Sequence, residues 1–205
     1  QLPVLSARLV ILHGSEANPA DRPGLASFVA DMLDEGTTAR SALQIADELD
    51  RIGAGLRVTS SADSIGMNLG MLRRQADPAF ALLADMALRP AFAEDELQRV
   101  RALRITDYRQ QADDPEALAA RAFDRAIYGA SHPYGFTEAG TAASLRAITR
   151  TDLQRFWQVG FVPSRAALVV SGDITAPELR ALAEKHFGAW RGSGAELAPP
   201  DPVTS

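Results

Sequence analysis

The segment from Gly24 to Thr37, GLASFVADMLDEGT, constrains the chain more than any other stretch. Leu25, Phe28, Val29, Met32 and Leu33 recur at i, i+3, i+4, i+7 and i+8. That spacing lines one face of an α-helix with apolar side chains, and such a face has to be buried. Ser27, Ala30, Asp31 and Asp34 fall on the other side, because positions three and four apart stack together. Pro23 precedes the stripe and Gly36 follows it, which predicts a helix start and a helix stop.

The remaining segments read as short strands and helices around this one. Val4 to Leu12 is rich in Val, Leu and Ile and predicts a strand. Ser41 to Ile52 predicts a helix stopped by Gly53. Gly55 to Ser60 and Ser64 to Leu72 predict two strands turned at Ser61-Ala62-Asp63, with Met67, Leu69 and Met71 on one side. Asp77-Pro78 opens a helix to Leu88, Glu94 to Gln111 makes a long charged helix, and Asp114-Pro115 opens another to Tyr128. Short helices at 141–147 and 149–159, a strand at 165–171 and a helix at 176–187 complete the series. Thr149 and Asp152 stand at capping-box spacing. Strands that pair locally, with helices segregated from them, predict an α+β fold: an antiparallel sheet backed by helices.

Composition narrows the function. At 205 residues and 46% hydrophobic the chain can bury a full core. A net charge of −5, scattered along the sequence, excludes the basic stripe of a nucleic-acid binder. No apolar run is long enough to span a bilayer. The absence of cysteine excludes disulfides and thiolate metal sites. Residues 1–192 read as a single domain and 193–205, rich in Pro, as a linker. A start at Gln1 and that tail suggest a piece of something longer.

The stretch at 24–37 also resembles the first active-site helix of the M16 metallopeptidases, the pitrilysin, insulysin and mitochondrial processing peptidase family. In active members it reads G-L-A-H-F-x-E-H-M-x-F-x-G-T. Here Gly24-Leu25-Ala26, Phe28, Met32-Leu33 and Gly36-Thr37 keep the frame. Further landmarks are Gly53-Ala54-Gly55, Arg89-Pro90-Ala91-Phe92, Asp114-Pro115, His132-Pro133-Tyr134-Gly135, Val170-Ser171-Gly172-Asp173 and Phe187-Gly188-Ala189-Trp190. The resemblance implies the first of two homologous units, with the LuxS/MPP-like metallohydrolase fold. It carries the first zinc histidine onto Ser27, the general-base glutamate onto Ala30 and the second histidine onto Asp31. Alignment through Glu94–Tyr108 places the distant glutamate ligand on Asp107 and an earlier acidic position on Val100.

That residue set suits zinc hydrolysis poorly. Zinc sites are built on imidazole and thiolate, whereas Ser27, Asp31 and Asp107 offer only oxygen, the donor of harder ions. Ala30 cannot take a proton from a metal-bound water, a service worth about 10²–10⁴ in rate. His13, His132 and His186 lack the i, i+4 spacing of a helical zinc pair. They read instead as a strand-end or surface residue, a loop anchor and a helix C-terminal residue near the negative dipole end. No phosphate loop follows Gly53-Ala54-Gly55 and no Gly-x-Ser-x-Gly elbow is present. The expectation is a non-catalytic unit with no metal of its own, zinc being held only by an active M16 half or subunit that pairs with it around a peptide substrate. Two alternatives stay open: a metalloendopeptidase with a non-standard metal site, and a structural core-type assembly subunit.

Overall fold

The computed structural model describes residues 3–111, 114–129, 132–135, 137–192 and 194. Four strands, β1 (Val4–Ile11), β2 (Gly55–Ser60), β3 (Ile65–Leu72) and β4 (Ala166–Gly172), form one antiparallel sheet in the order β2-β3-β1-β4. Eight α-helices accompany them among the described residues: α1 (Leu25–Asp31), α2 (Ala42–Ile52), α3 (Ala76–Leu88), α4 (Glu94–Gln111), α5 (Pro115–Tyr128), α6 (Ala142–Ala147), α7 (Arg150–Gly160) and α8 (Ala176–Phe187). The α+β reading of an antiparallel sheet backed by helices is therefore the observed architecture. The expected linker at 193–205 lies outside the described residues except for Gly194.

Alternation along the strands decides which face is covered. Leu5, Ala7, Leu9 and Ile11 of β1 and Ile65, Met67, Leu69 and Met71 of β3 are all buried. The register sets Leu9 opposite both Met67 and Leu168, so these side chains share one face. α3 packs against β3 on that face, burying Phe80, Leu82, Leu83 and Met86. The opposite face stays open, with Val4, Leu12 and Val169 exposed.

α1 is central to this core. Leu25, Ala26, Phe28, Val29 and Ala30 are buried within it, and Met32 and Leu33 just after it. It packs on α7, β2 and β3. Its helix is shorter than the apolar stripe suggests, ending at Asp31 rather than running to Gly36. Leu33 N–H already bonds back three residues to Ala30 O, a tightening turn. The next residues are drawn away by tertiary bonds: Ala91 N–H to Gly36 O at 3.0 Å and Thr38 N–H to Arg89 O at 2.9 Å. Ala30 belongs to the buried side and not to the polar one, at 2% exposure.

Candidate functional site

The site residues named by resemblance sit at the mouth of a cleft of about 310 Å³, lined by Ser27, Asp31, Arg104, Asp107, Tyr108 and Glu138 among others. α1 supplies Ser27 and Asp31 one turn apart, and α4 supplies Arg104 and Asp107 one turn apart. Ala30 faces the core beside them. Ser27, Asp31 and Asp107 are thus brought to one place, as the resemblance implies, but with an unexpected fourth member.

That member is Arg104. Its Nη1 donates to Asp31 Oδ2. Its Nη2 donates to Ser27 Oγ at 2.6 Å and to Ala139 O at 2.9 Å. The guanidinium carbon stands 5.3 Å from the centre of the Phe28 ring, a cation–π distance. The Arg104 side chain is 11% exposed and its carboxylate partner Asp31 is 50% exposed. Ser27 Oγ accepts from Arg104 and spends its own proton on Glu138 O at 2.6 Å.

Two glycines bring the 137–140 turn close enough for these bonds. Gly24 (φ +90°) precedes α1, and Gly140 (φ +79°) ends the turn. A Cβ on Gly24 would lie 2.7 Å from Gly140 Cα, and one on Gly140 would lie 2.7 Å from Pro23 O. Only glycine permits both the positive φ and the backbone contact. Burial, followed by the nearby Asp124 and Asp63 charges, holds the Glu138 carboxyl above the usual carboxylate range.

The donor chemistry does not fit zinc. Ser27 Oγ and Asp31 Oδ2 are engaged by the Arg104 guanidinium, and no imidazole is at hand. Among the described residues no group of three or more His, Cys, Asp or Glu side chains is placed to hold a metal ion. The three histidines are far apart in role. His13 is buried at 3%, not a surface residue. It packs 4.3 Å from the Phe156 ring and stands 3.4 Å from Arg165 Nη1. Burial, then the Arg165 charge, lowers its pKa to about 4. His132 does anchor its loop: its Nδ1 accepts from Tyr134 N–H at 3.2 Å, and its ring stacks on Tyr128. Tyr134 O–H reaches Asp63 at 2.6 Å, tying the loop to the turn between β2 and β3. His186 lies in the last turn of α8 with its Nε2 2.9 Å from Asp77 Oδ1.

A second polar node escaped the sequence reading. Asp85, fully buried in α3, accepts from Thr37 Oγ1 at 2.7 Å, Arg40 Nη1 at 2.6 Å and Arg89 Nε at 2.7 Å. Burial alone would raise its pKa, but the bonds from Thr37, Arg89 and Arg40 outweigh it and hold the carboxyl below its ordinary value. An Asp set inside the apolar run that follows Pro78 in α3, with Asp77 left at the helix start, was the available signal. Arg104 carried no comparable signal, being one charge in a helix with charges all round.

Comparison with known proteins places the chain in a family. Residues 3–132 match the family described as insulinase, peptidase family M16. Residues 147–205 match the one described as the peptidase M16 inactive domain. An uncharacterized zinc protease of Mycobacterium leprae is 30% identical over 187 residues, covering 91% of this chain and 42% of that protein. The crystal structure of a peptidase M16 inactive domain from Pseudomonas fluorescens superposes with a TM-score of 0.92 at 26% identity, covering 100% of this chain and 49% of that one. The first half of the periplasmic protease PqqL from Escherichia coli shares the fold, with a TM-score of 0.89 at 18% identity and coverage of 98% and 44%. The chain spans less than half the length of the curated relatives it matches. With a match that runs through both cleft-forming helices and most of the sheet, the chain belongs to peptidase family M16.

Proposed function

We propose that this domain is a non-catalytic M16 unit that pairs with an active peptidase half and helps to enclose a peptide. The observation that carries the reading is the guanidinium of Arg104 seated between Ser27 and Asp31. A site whose oxygens already hold a fixed cation, with Ala30 where a base would stand, has neither a metal-activated water nor a group to deprotonate one. Pairing is supported by the length of the relatives, which are more than twice as long as the matched region, and by the halves of larger proteins that share this fold. The open face of the sheet, with Val4, Leu12 and Val169 exposed, offers apolar surface to such a half. The outer edges of β2 and β4 lack strand neighbours among the described residues, and an extended peptide can add to such an edge.

A quenched-fluorescent peptide tests this directly. The chain alone, supplied with Zn²⁺, gives no cleavage that a chelator removes. Chelator-sensitive turnover that falls in Asp31→Asn would overturn the reading in favour of a peptidase with a non-standard metal site.

A further inference from the structure

Oxygen atoms converge on one point of the cleft from three directions. Asp31 contributes a carboxylate, Ser27 a hydroxyl and the 137–140 turn the carbonyl of Ala139. Converging acceptors in a half-buried cleft need donors, and the Asp31 carboxylate among them favours a donor that is positively charged. Arg104 provides it, from a side chain that is 11% exposed. We propose that Arg104 is a resident cation that pins the 137–140 turn onto α1 and bars the cleft to divalent ions, a role that rests on the non-catalytic reading above.

The contacts explain why a mobile ion cannot share the space. A divalent ion approaching Asp31 would meet a fixed positive charge within a few ångströms, and like charges at that range repel strongly in a partly desolvated site. Displacing Arg104 would strip Ala139 O of its donor. It would also take the guanidinium off the Phe28 ring. The planar fork is matched to acceptors on two sides at once, which an ammonium cannot do. With the guanidinium removed, the oxygen nest remains, and oxygen nests suit hard cations such as Mn²⁺.

The test is a Mn²⁺ titration, by calorimetry and electron paramagnetic resonance, of the native chain and of Arg104→Gln. Hydrogen exchange at the Gly140 amide, which bonds to Thr137 O at 3.0 Å, is measured in parallel. The native chain takes up no Mn²⁺. Arg104→Gln binds one ion, at an affinity at least ~tenfold above the detection limit that the native chain fails to reach, and adding Asp31→Asn abolishes it. Gly140 exchanges at least ~tenfold faster in Arg104→Gln and slows again when Mn²⁺ is added. Mn²⁺ binding by the native chain, or an Arg104→Gln variant that fails either to gain the ion or to loosen the turn, overturns the proposal. Should Arg104→Gln fail to fold, Arg104→Lys decides: the turn must loosen while Mn²⁺ stays excluded, and a native-like Gly140 overturns the clamp. Peptide turnover by the native chain would count against the non-catalytic reading, whereas these variants report on Arg104 alone.

Discussion

Asp85 and Arg104 sit in two guanidinium–carboxylate arrangements of opposite burial. At the α3 node the carboxylate is the buried partner, with an Asp85 side chain 1% exposed against 27% for Arg40 and 57% for Arg89. At the cleft the guanidinium is buried, 11% exposed against 50% for Asp31. The ion withdrawn from water sets what the arrangement does. A buried carboxylate gathers donors from chain segments around it, and here it fastens residues 37–40 to α3. A buried guanidinium gathers acceptors, and here it fastens the 137–140 turn to α1. The first arrangement ties chain segments together and shares no residue with the cleft that holds Ser27 and Asp31. The second stands where the family resemblance would put a metal.

The comparison is sharpest at Asp85. Asp85→Ala leaves the Thr37 hydroxyl and two guanidinium groups without their shared acceptor, and removing one member of a buried ion pair costs about 3–5 kcal/mol. Because Arg40 and Arg89 can turn to solvent, the lower end is expected, about 3 kcal/mol by urea denaturation. A loss under about 1 kcal/mol would show that the node holds nothing.

Arg165 beside His13 is a third case, a guanidinium set against a neutral base. Burial and Arg165 lower the His13 pKa to about 4 in the folded chain, against about 6.5 unfolded. The folded state therefore binds its proton less readily than the unfolded state does. The stability this confers is present above pH 6.5 and drains away as pH falls toward 4, by an amount on the order of 2–3 kcal/mol. Asp85 acts in a lower window, since its depressed carboxyl loses its contribution only as pH falls below the ordinary carboxylate range. Thermal melts between pH 7 and 4 should fall for the native chain and flatten for His13→Gln. A parallel decline in both would assign the loss elsewhere.

The smallest effect is expected at the exposed end of the cleft pair. Asp31→Asn should cost less than about 1 kcal/mol, because a half-exposed carboxylate is screened by water. A cost equal to that of Asp85→Ala would erase the distinction between the two regions.

Much of the frame was legible because local signals and packing agree. Ser41 and Gln44 form a capping box at the start of α2, and Gly53 ends it at φ +61°. Thr149 and Asp152 do the same for α7. Met67, Leu69 and Met71 share the buried face their alternation implied. The misses are places where distant contacts overrule neighbours. α1 stops before Gly36 because Gly36 and Thr38 bond to Ala91 and Arg89, far along the chain. Ala30 is apolar and small, so its spacing beside Asp31 could not tell a buried position from an exposed one. Arg104 is one of twenty arginines in the sequence, and its partners lie 73 and 77 residues away. His13 looked like a strand end. Its burial comes from Phe156 and from Gly160, where a Cβ would lie 2.1 Å from the imidazole ring.

Calorimetric titration of the chelator-stripped chain with Zn²⁺, paired with elemental analysis of the protein as purified, decides whether this M16 unit carries zinc chemistry of its own. A non-catalytic unit holds no metal as purified and gives no heat of stoichiometric binding. One zinc per chain held more tightly than about micromolar, roughly 8 kcal/mol of binding, would contradict the non-catalytic reading.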